Sequence, residues 1–210
     1  MRFIAILMAA GFSRRFGGEN KLLAPFRGKP LARHTLELVC GMGSFEKVYF
    51  VYADEAVAAL ADGLPVMTVY NPAPEKGQGE SARLGLTAAV QSVIGAEADY
   101  YMFFPCDQPL LDQDTVRLLL DSARPGCIVE PVCPGGNRSP SLFSASFTEE
   151  LLALKQGEHP RLLKERHPQA LVTVEIADPA VLADIDTVED YENIYHGGIR
   201  STTELHGGKR

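Results

Sequence analysis

The residues of this 210-residue chain that could do chemistry fall in three short stretches. The first runs from Gly11 to Lys21 and sets Arg14, Arg15 and Lys21 in a glycine-containing loop with Ser13, Gly17 and Gly18. Backbone N–H groups of such a loop can converge on one anion. Two guanidinium groups and an ammonium add fixed positive charge, which suits a polyphosphate. The second stretch is Pro105-Cys106-Asp107-Gln108-Pro109, directly after an apolar run. A carboxylate placed there can hold Mg²⁺, which prefers one or two carboxylates completed by phosphate oxygens and water. The third is Asp184-Ile185-Asp186. On an extended segment its two acids point the same way, and neighbouring carboxylates repel unless a cation or hydrogen bonds satisfy them. Each stretch also has an ordinary reading: a solvated turn, a turn cap, a pair of helix-capping acids.

Loops scattered over the whole chain can share one site only if a scaffold delivers them to one edge. Residues 4–8 form a continuous apolar run, the pattern of a parallel strand buried on both faces. Ala9-Ala10-Gly11 after it lets the backbone come close to a ligand. Pro30 suits a helix start, and 31–39 has helical spacing. Strands are read at 48–52 and 66–70, with a short helix at 55–61. This alternation predicts a Rossmann-like three-layer α/β fold, a mostly parallel sheet with helices on both faces. The run 100–104 is the most apolar and aromatic, so it reads as a central strand. Asp107 then leaves its carboxyl end, where open α/β sheets bind ligands.

Residues 71–81, NPAPEKGQGES, hold too many prolines and glycines for regular structure. A helix over 81–93, capped by Ser81 or Glu80, would offer a second anion or base site at its N-terminus. Later strands are read at 127–132, 140–144 and 171–176, and later helices at 113–121, 147–154 and up to Arg166. Thr187 and Asp190 have the spacing of a capping box for a helix from Val188. Segment 196–210 is polar and glycine-rich, the composition of a flexible tail, which leaves one domain over 1–195.

Composition narrows the classes further. A net charge of −7 argues against a nucleic-acid-binding surface while allowing a local basic pocket. No apolar run approaches the ~18–20 residues of a membrane span. Cys40, Cys106, Cys127 and Cys133 are widely spaced without a C-x-x-C, as expected of free thiols in a reducing cytoplasm. Two common phosphate motifs are missing. Phe16 stands where a P-loop needs its second glycine, and no G-x-G-x-x-G follows the first strand.

Leu7, Ala9, Ala10, Gly11, Ser13, Arg15, Gly17 or Gly18, Lys21, Leu22 and Leu23 resemble the signature of the MobA-like nucleotidyltransferases, L-x-A-G-x-S-x-R-M-G-x-x-K-x-L-L-P. Phe16 replaces Met, one residue is added before Lys21, and Pro25 comes one place late. Asn71, Pro72, Gly77, Ser81, Gly85 and Leu86 match a second family pattern, and Asp107-Gln108-Pro109 matches the family's D-x-P. Residues 184–190 are similar to D-I-D-T-P-E-D, with Val188 for Pro. Gly136, Pro140 and Phe143 match G-x-P-x-x-F with two residues inserted, which makes Asn137 and Arg138 candidates for acceptor contact. Gly157-Glu158-His159-Pro160-Arg161 departs from the G-D-x-G-A-R of the group's cytidylyltransferases by replacing Gly-Ala with Pro160.

The resemblance covers nearly all of 1–195 and implies the nucleotide-diphospho-sugar transferase type of fold. It assigns nucleotide binding to Ala9, Ala10, Gly11, Ser13, Arg14, Arg15, Lys21, Asn71, Gly77, Ser81 and Asp107. Arg15, Lys21 and Asp107 take the catalytic role, and Asp107 with Asp186 would hold Mg²⁺, or Mn²⁺ in its place. His159 is a poor general base here, since an anionic phosphate nucleophile needs none. Met8-Ala9-Ala10-Gly11 resembles the cytidylyl branch of the family more than the Leu-Ala-Gly-Gly of the guanylyl branch. The reaction implied is CTP plus molybdopterin-bound molybdenum giving a cytosine dinucleotide cofactor and pyrophosphate. A transient contact with the molybdoenzyme that receives the product is also implied. Two alternatives stay open: a guanylyl or other transferase acting on a pterin or a sugar or alcohol phosphate, and a non-catalytic cofactor carrier.

Overall fold

The computed structural model describes residues 1–13, 15–18, 20–134 and 137–197. Arg14, Gly136 and most of the expected tail lie outside them. The first strand, β1 (Phe3–Ala9), sets the layering of the molecule. Strand side chains alternate between faces. Ala5, Leu7 and Ala9 accordingly enter one core, while Ile4 and Ile6 enter another on the opposite face. Both faces must therefore be covered.

The glycine loop leads into a 3₁₀ turn at Lys21–Leu23 and a small hairpin of β2 (Pro25–Phe26) and β3 (Lys29–Pro30). Its two turn residues, Arg27 and Gly28, both have positive φ (46° and 88°), as a tight type I′ hairpin turn demands. Next come α1 (Leu31–Gly41), β4 (Lys47–Tyr52), α2 (Glu55–Ala58) and β5 (Met67–Tyr70). After these follow α3 (Gln78–Val90), α4 (Val93–Ala96), β6 (Tyr100–Pro105) and α5 (Gln113–Asp121). The chain then forms β7 (Ile128–Val132), β8 (Ser141–Ser144), α6 (Thr148–Leu152) and α7 (Arg161–Arg166). It closes with β9 (Leu171–Glu175) and α8 (Val188–Gly197).

The seven-stranded sheet has the order β5-β4-β1-β6-β8-β7-β9. Its pairs are parallel except those made by β8, which runs antiparallel to β6 and β7. The β7–β8 connection is too short for a crossover, which takes a dozen residues or more, so the chain must turn back. Helices α1 and α5 cover one face through Ala32, Leu36, Val116 and Leu119; α3, α6 and α7 cover the other through Leu86, Leu151 and Leu163. The three-layer, mostly parallel expectation holds. Strand β6 is central as expected, with Tyr100 through Pro105 all buried.

One helix starts earlier than its sequence suggests. Gly77, at φ 93°, turns the chain so that α3 begins at Gln78, and neither Glu80 nor Ser81 caps it. Glu80 pairs with Arg83 instead. Gly85 is what lets α3 lie close on the sheet, because a Cβ there would sit 2.5 Å from Ile6 Cγ2 and 2.9 Å from Val51 Cγ2. Among the described residues no helix is long and apolar enough to cross a membrane.

Candidate functional site

The chain leaves β1, builds β4 and β5 on one side of it, and returns to place β6 on the other side. A crevice at the carboxyl ends of β1 and β6 is the place where such a reversal exposes loops to a ligand. The register sets Met8 opposite Pro105, so Ala10-Gly11 and Cys106-Asp107 emerge side by side. A cavity of about 390 Å³ opens there. Its walls include Ala10, Gly11, Ser13, Arg15 and Lys21 from the first loop, and Gly77, Gln78 and Ser81 from the start of α3. Asp107 and Asp186 complete it. Four separate segments of the sequence thus share one cavity.

Local hydrogen bonds hold the first loop in shape. Ser13 has φ 49°, uncommon for a residue with a Cβ. Its hydroxyl accepts a hydrogen bond from Lys21 N–H (3.0 Å) and lies 3.3 Å from Asn20 Oδ1. Asn20 Oδ1 also accepts from Leu22 N–H, which caps the 3₁₀ turn carrying Lys21. Ser13 and Asn20 therefore close the loop on itself and aim the lysine inward.

Lys21 is the centre of the site. It is 8% exposed. Its Nζ donates to Asp107 Oδ2 and to Asp186 Oδ1, each at 2.8 Å. Burial opposes its charge, but the two carboxylates outweigh that and raise its pKa above 10.5. Asp186 also accepts from Arg15 Nη2 at 2.8 Å. Burial works against the Asp186 carboxylate, and Lys21 and Arg15 overcome it, holding the group below 3.8. Asp184 faces the reverse balance: burial, then Asp107 and Asp186, push it above 3.8, and Asn137 Nδ2 donates to its carboxylate (3.1 Å).

The two ends of the chain meet by backbone pairing. Ile185 N–H donates to Asp107 C=O at 3.0 Å, which lays the 184–186 segment against the end of β6. Ile185 is fully buried with Phe26, Leu31 and Ile194. The expected capping box is present: Asp190 N–H donates to Thr187 Oγ1 (3.1 Å) and Thr187 N–H to Asp190 Oδ2 (2.8 Å). Asp186 N–H donates to the same Asp190 carboxylate. Helix α8 thus fixes Asp186 at the mouth of the cavity.

Two expected nucleotide residues do not line the cavity. Ala9 is packed in the core. Asn71 is fully buried behind the loop, donating to Ser81 Oγ (3.0 Å) and accepting from Ala73 N–H (2.9 Å). It braces the 71–77 segment against α3. Phe12 and Gln78 line the cavity and stood at unassigned positions of the sequence patterns. Asp184 was expected only as a neighbour of Asp186, yet it brings a third carboxylate to the site.

The donor set fits a hard divalent cation. Asp107 Oδ1 is buried without a hydrogen-bond partner, and Asp184, Asp186 and Asp107 offer only oxygen. Among the described residues no group of three or more His, Cys, Asp or Glu is placed to hold a metal ion. Mg²⁺ needs only one or two carboxylates and finds the rest of its shell in phosphate and water. All four cysteines are free, and burial pushes the Cys106 thiol up.

A second cavity of about 590 Å³ shares Gln78 with the first. Asn137, Arg138, His159, Arg161 and Lys164 line it around a carboxylate, Glu130, that is 1% exposed. Glu130 pairs with Lys164 (2.8 Å) and Arg138 (2.6 Å). Burial pulls the Lys164 pKa below 10.5 in spite of that partner.

Residues 5–171 match the family described as MobA-like NTP transferase domain. The purine catabolism protein PucB of Bacillus subtilis is 30% identical over 206 residues, covering 91% of this chain and 95% of that protein. A molybdenum cofactor guanylyltransferase of Shewanella putrefaciens is 26% identical over 192 residues, covering 89% and 92%. A nucleotidyl transferase structure from Methanothermobacter superposes with a TM-score of 0.78 at 21% identity, over 92% of this chain and 96% of that one, and shares the fold.

Proposed function

This chain belongs to the MobA-like NTP transferase family, and on that premise we propose that it transfers CMP from CTP to the molybdenum cofactor with release of pyrophosphate. The observation that carries the base assignment is Ala10. It is buried on the wall of the first cavity, and a methyl group there would narrow a base pocket toward a pyrimidine. The guanylyl reading draws on the names of relatives such as the Shewanella protein, and direct competition between the nucleotides decides between the two.

The triphosphate enters along the loop that carries Ser13, Arg15 and Lys21. A terminal phosphate oxygen of the acceptor attacks the α-phosphorus, the bond to the bridging oxygen of the β-phosphate breaks, and pyrophosphate leaves. An anionic nucleophile needs no base, so positioning and charge neutralisation are the main resources. Arg15 and Lys21 neutralise charge on the α-phosphate and the leaving group. Asp107 and Asp186 would hold Mg²⁺, or Mn²⁺, which would supply positive charge against the triphosphate. The acceptor lies in the second cavity, reached past Gln78, with Arg138, Arg161 and Lys164 near its phosphate. Free thiols suit a reducing cytoplasm, where the product passes to a molybdoenzyme.

The test is pyrophosphate release with CTP, GTP and ATP in parallel, with molybdenum cofactor as acceptor. CTP preference supports the reading, and equal or better use of GTP removes the base assignment. Turnover of a sugar or alcohol phosphate without the pterin would move the acceptor instead.

A further inference from the structure

We infer that Lys21 is the resident cation of the free protein, standing where a divalent metal would otherwise sit, and that metal enters only together with a triphosphate. This rests on reading Asp107 and Asp186 as the metal-holding carboxylates. The geometry carries it. One ammonium bridges Oδ2 of Asp107 and Oδ1 of Asp186 at 2.8 Å each, so the two oxygens lie within twice that distance of one another. The carboxylates come from opposite ends of the sequence and are pinned by backbone pairing and by α8. They cannot simply separate to escape repulsion. A third carboxylate, Asp184, lies on the same pinned segment as Asp186. Such a cluster requires a cation at all times, and in the free protein Lys21 supplies it.

The second observation is Asp107 Oδ1. It is buried and lacks a hydrogen-bond partner among the described residues, while the other oxygen of the same carboxylate accepts from Lys21. An unmet buried acceptor costs roughly 1–3 kcal/mol, more for a charged group. It marks a coordination position that the ammonium does not fill. A bare aquo ion arriving here must displace Lys21 and leave its ammonium buried among protein groups without an anionic partner. An ion carried by a triphosphate brings the new partner with it, because the phosphate oxygens accept the displaced ammonium. Lys21 thereby links metal entry to nucleotide entry, and the site ignores free divalent ions.

The test reads metal binding rather than turnover. Free Mn²⁺ is titrated with the full-length protein, without nucleotide, and followed by the electron paramagnetic resonance signal of the unbound aquo ion. Wild type is expected to bind weakly and Lys21→Met at least ten times more tightly. If the variant is marginally folded, its melting temperature reports the same linkage: Mn²⁺ should raise it by several degrees and leave wild type nearly unmoved. Wild type binding Mn²⁺ as tightly as Lys21→Met overturns the inference. Adding Asp107→Asn to Lys21→Met should abolish the gain. If tight binding persists in that double variant, the carboxylate assignment itself fails, which separates the two ideas.

Discussion

Replacing Gly79 with Ala tests the contact that joins the two cavities, because two effects there have opposite signs. Gly79 is the second residue of α3, and alanine is the better helix former by ~1 kcal/mol. Helix propensity alone therefore predicts stabilisation. The structure predicts the reverse. A Cβ on Gly79 falls 1.7 Å from the carbonyl oxygen of Glu158, 2.9 Å from its carbon and 3.3 Å from His159 Cα. All three are backbone atoms, and the first distance is about half an ordinary contact, so the 157–161 segment must move away. Overpacking of this kind costs ~1–3 kcal/mol. With the propensity gain set against the upper part of that range, a net loss of about 2 kcal/mol follows, or roughly 4–8 °C in Tm for a chain of this size. Because His159 and Arg161 line the second cavity, the KM for the acceptor should rise severalfold while nucleotide binding changes little. Gly85→Ala is the comparison: its Cβ meets the side chains of Ile6 and Val51 in the core, so stability falls without the effect on acceptor KM. Urea unfolding and steady-state kinetics on both variants suffice. A Gly79→Ala protein as stable as wild type, with unchanged acceptor KM, would refute the reasoning.

Three further outcomes are expected. Asp107→Asn should lower turnover by roughly 100- to 1,000-fold, the scale of removing one preorganised electrostatic group, and pyrophosphate release near the wild-type rate would contradict its role. Asp184, raised above 3.8 by burial and by Asp107 and Asp186, makes wild type lose stability as pH climbs from 3.8 through the folded value. Asp184→Asn should hence be the more stable protein at neutral pH, with the difference vanishing near pH 3 in urea unfolding; a less stable variant at neutral pH would show that Asn137 needs the charge. Lys164→Met leaves Glu130, 1% exposed, with Arg138 alone, and should cost ~3–5 kcal/mol. Adding Glu130→Leu should recover much of that loss, and a double variant worse than Lys164→Met would mean the pair contributes net stability.

Much of the scaffold is legible because it rests on local pattern. The apolar run of β1, the aromatic run of β6 and the Thr187–Asp190 cap each follow from a few neighbouring residues. Helix α3 starts three residues before the position its sequence suggests, because its start depends on the positive φ of Gly77, and composition alone does not announce that. The hairpin β2–β3 is not legible in the sequence for a similar reason: two-residue strands carry almost no periodicity, and Arg27 at φ 46° is an unusual turn residue. The acids and the lysine could be nominated from their loops, but their meeting could not. Lys21 is 86 residues from Asp107 and 165 from Asp186, so the bridging ammonium exists only once β1, β6 and α8 are in place. Asn71 shows the converse. Its sequence context pointed to the nucleotide, and the fold uses it to brace Ser81 and Ala73 from behind.

The activity proposed for the first cavity is nucleotidyl transfer, with the wall formed by Ala10 selecting cytidine. The most direct measurement is initial-rate pyrophosphate release with CTP and GTP competing, molybdenum cofactor as acceptor and Mg²⁺ present, for wild type and Ala10→Gly. Wild type is expected to prefer CTP, and Ala10→Gly to narrow the preference by admitting GTP. Wild-type protein that uses GTP as readily as CTP, or an Ala10→Gly variant with unaltered preference, would contradict it.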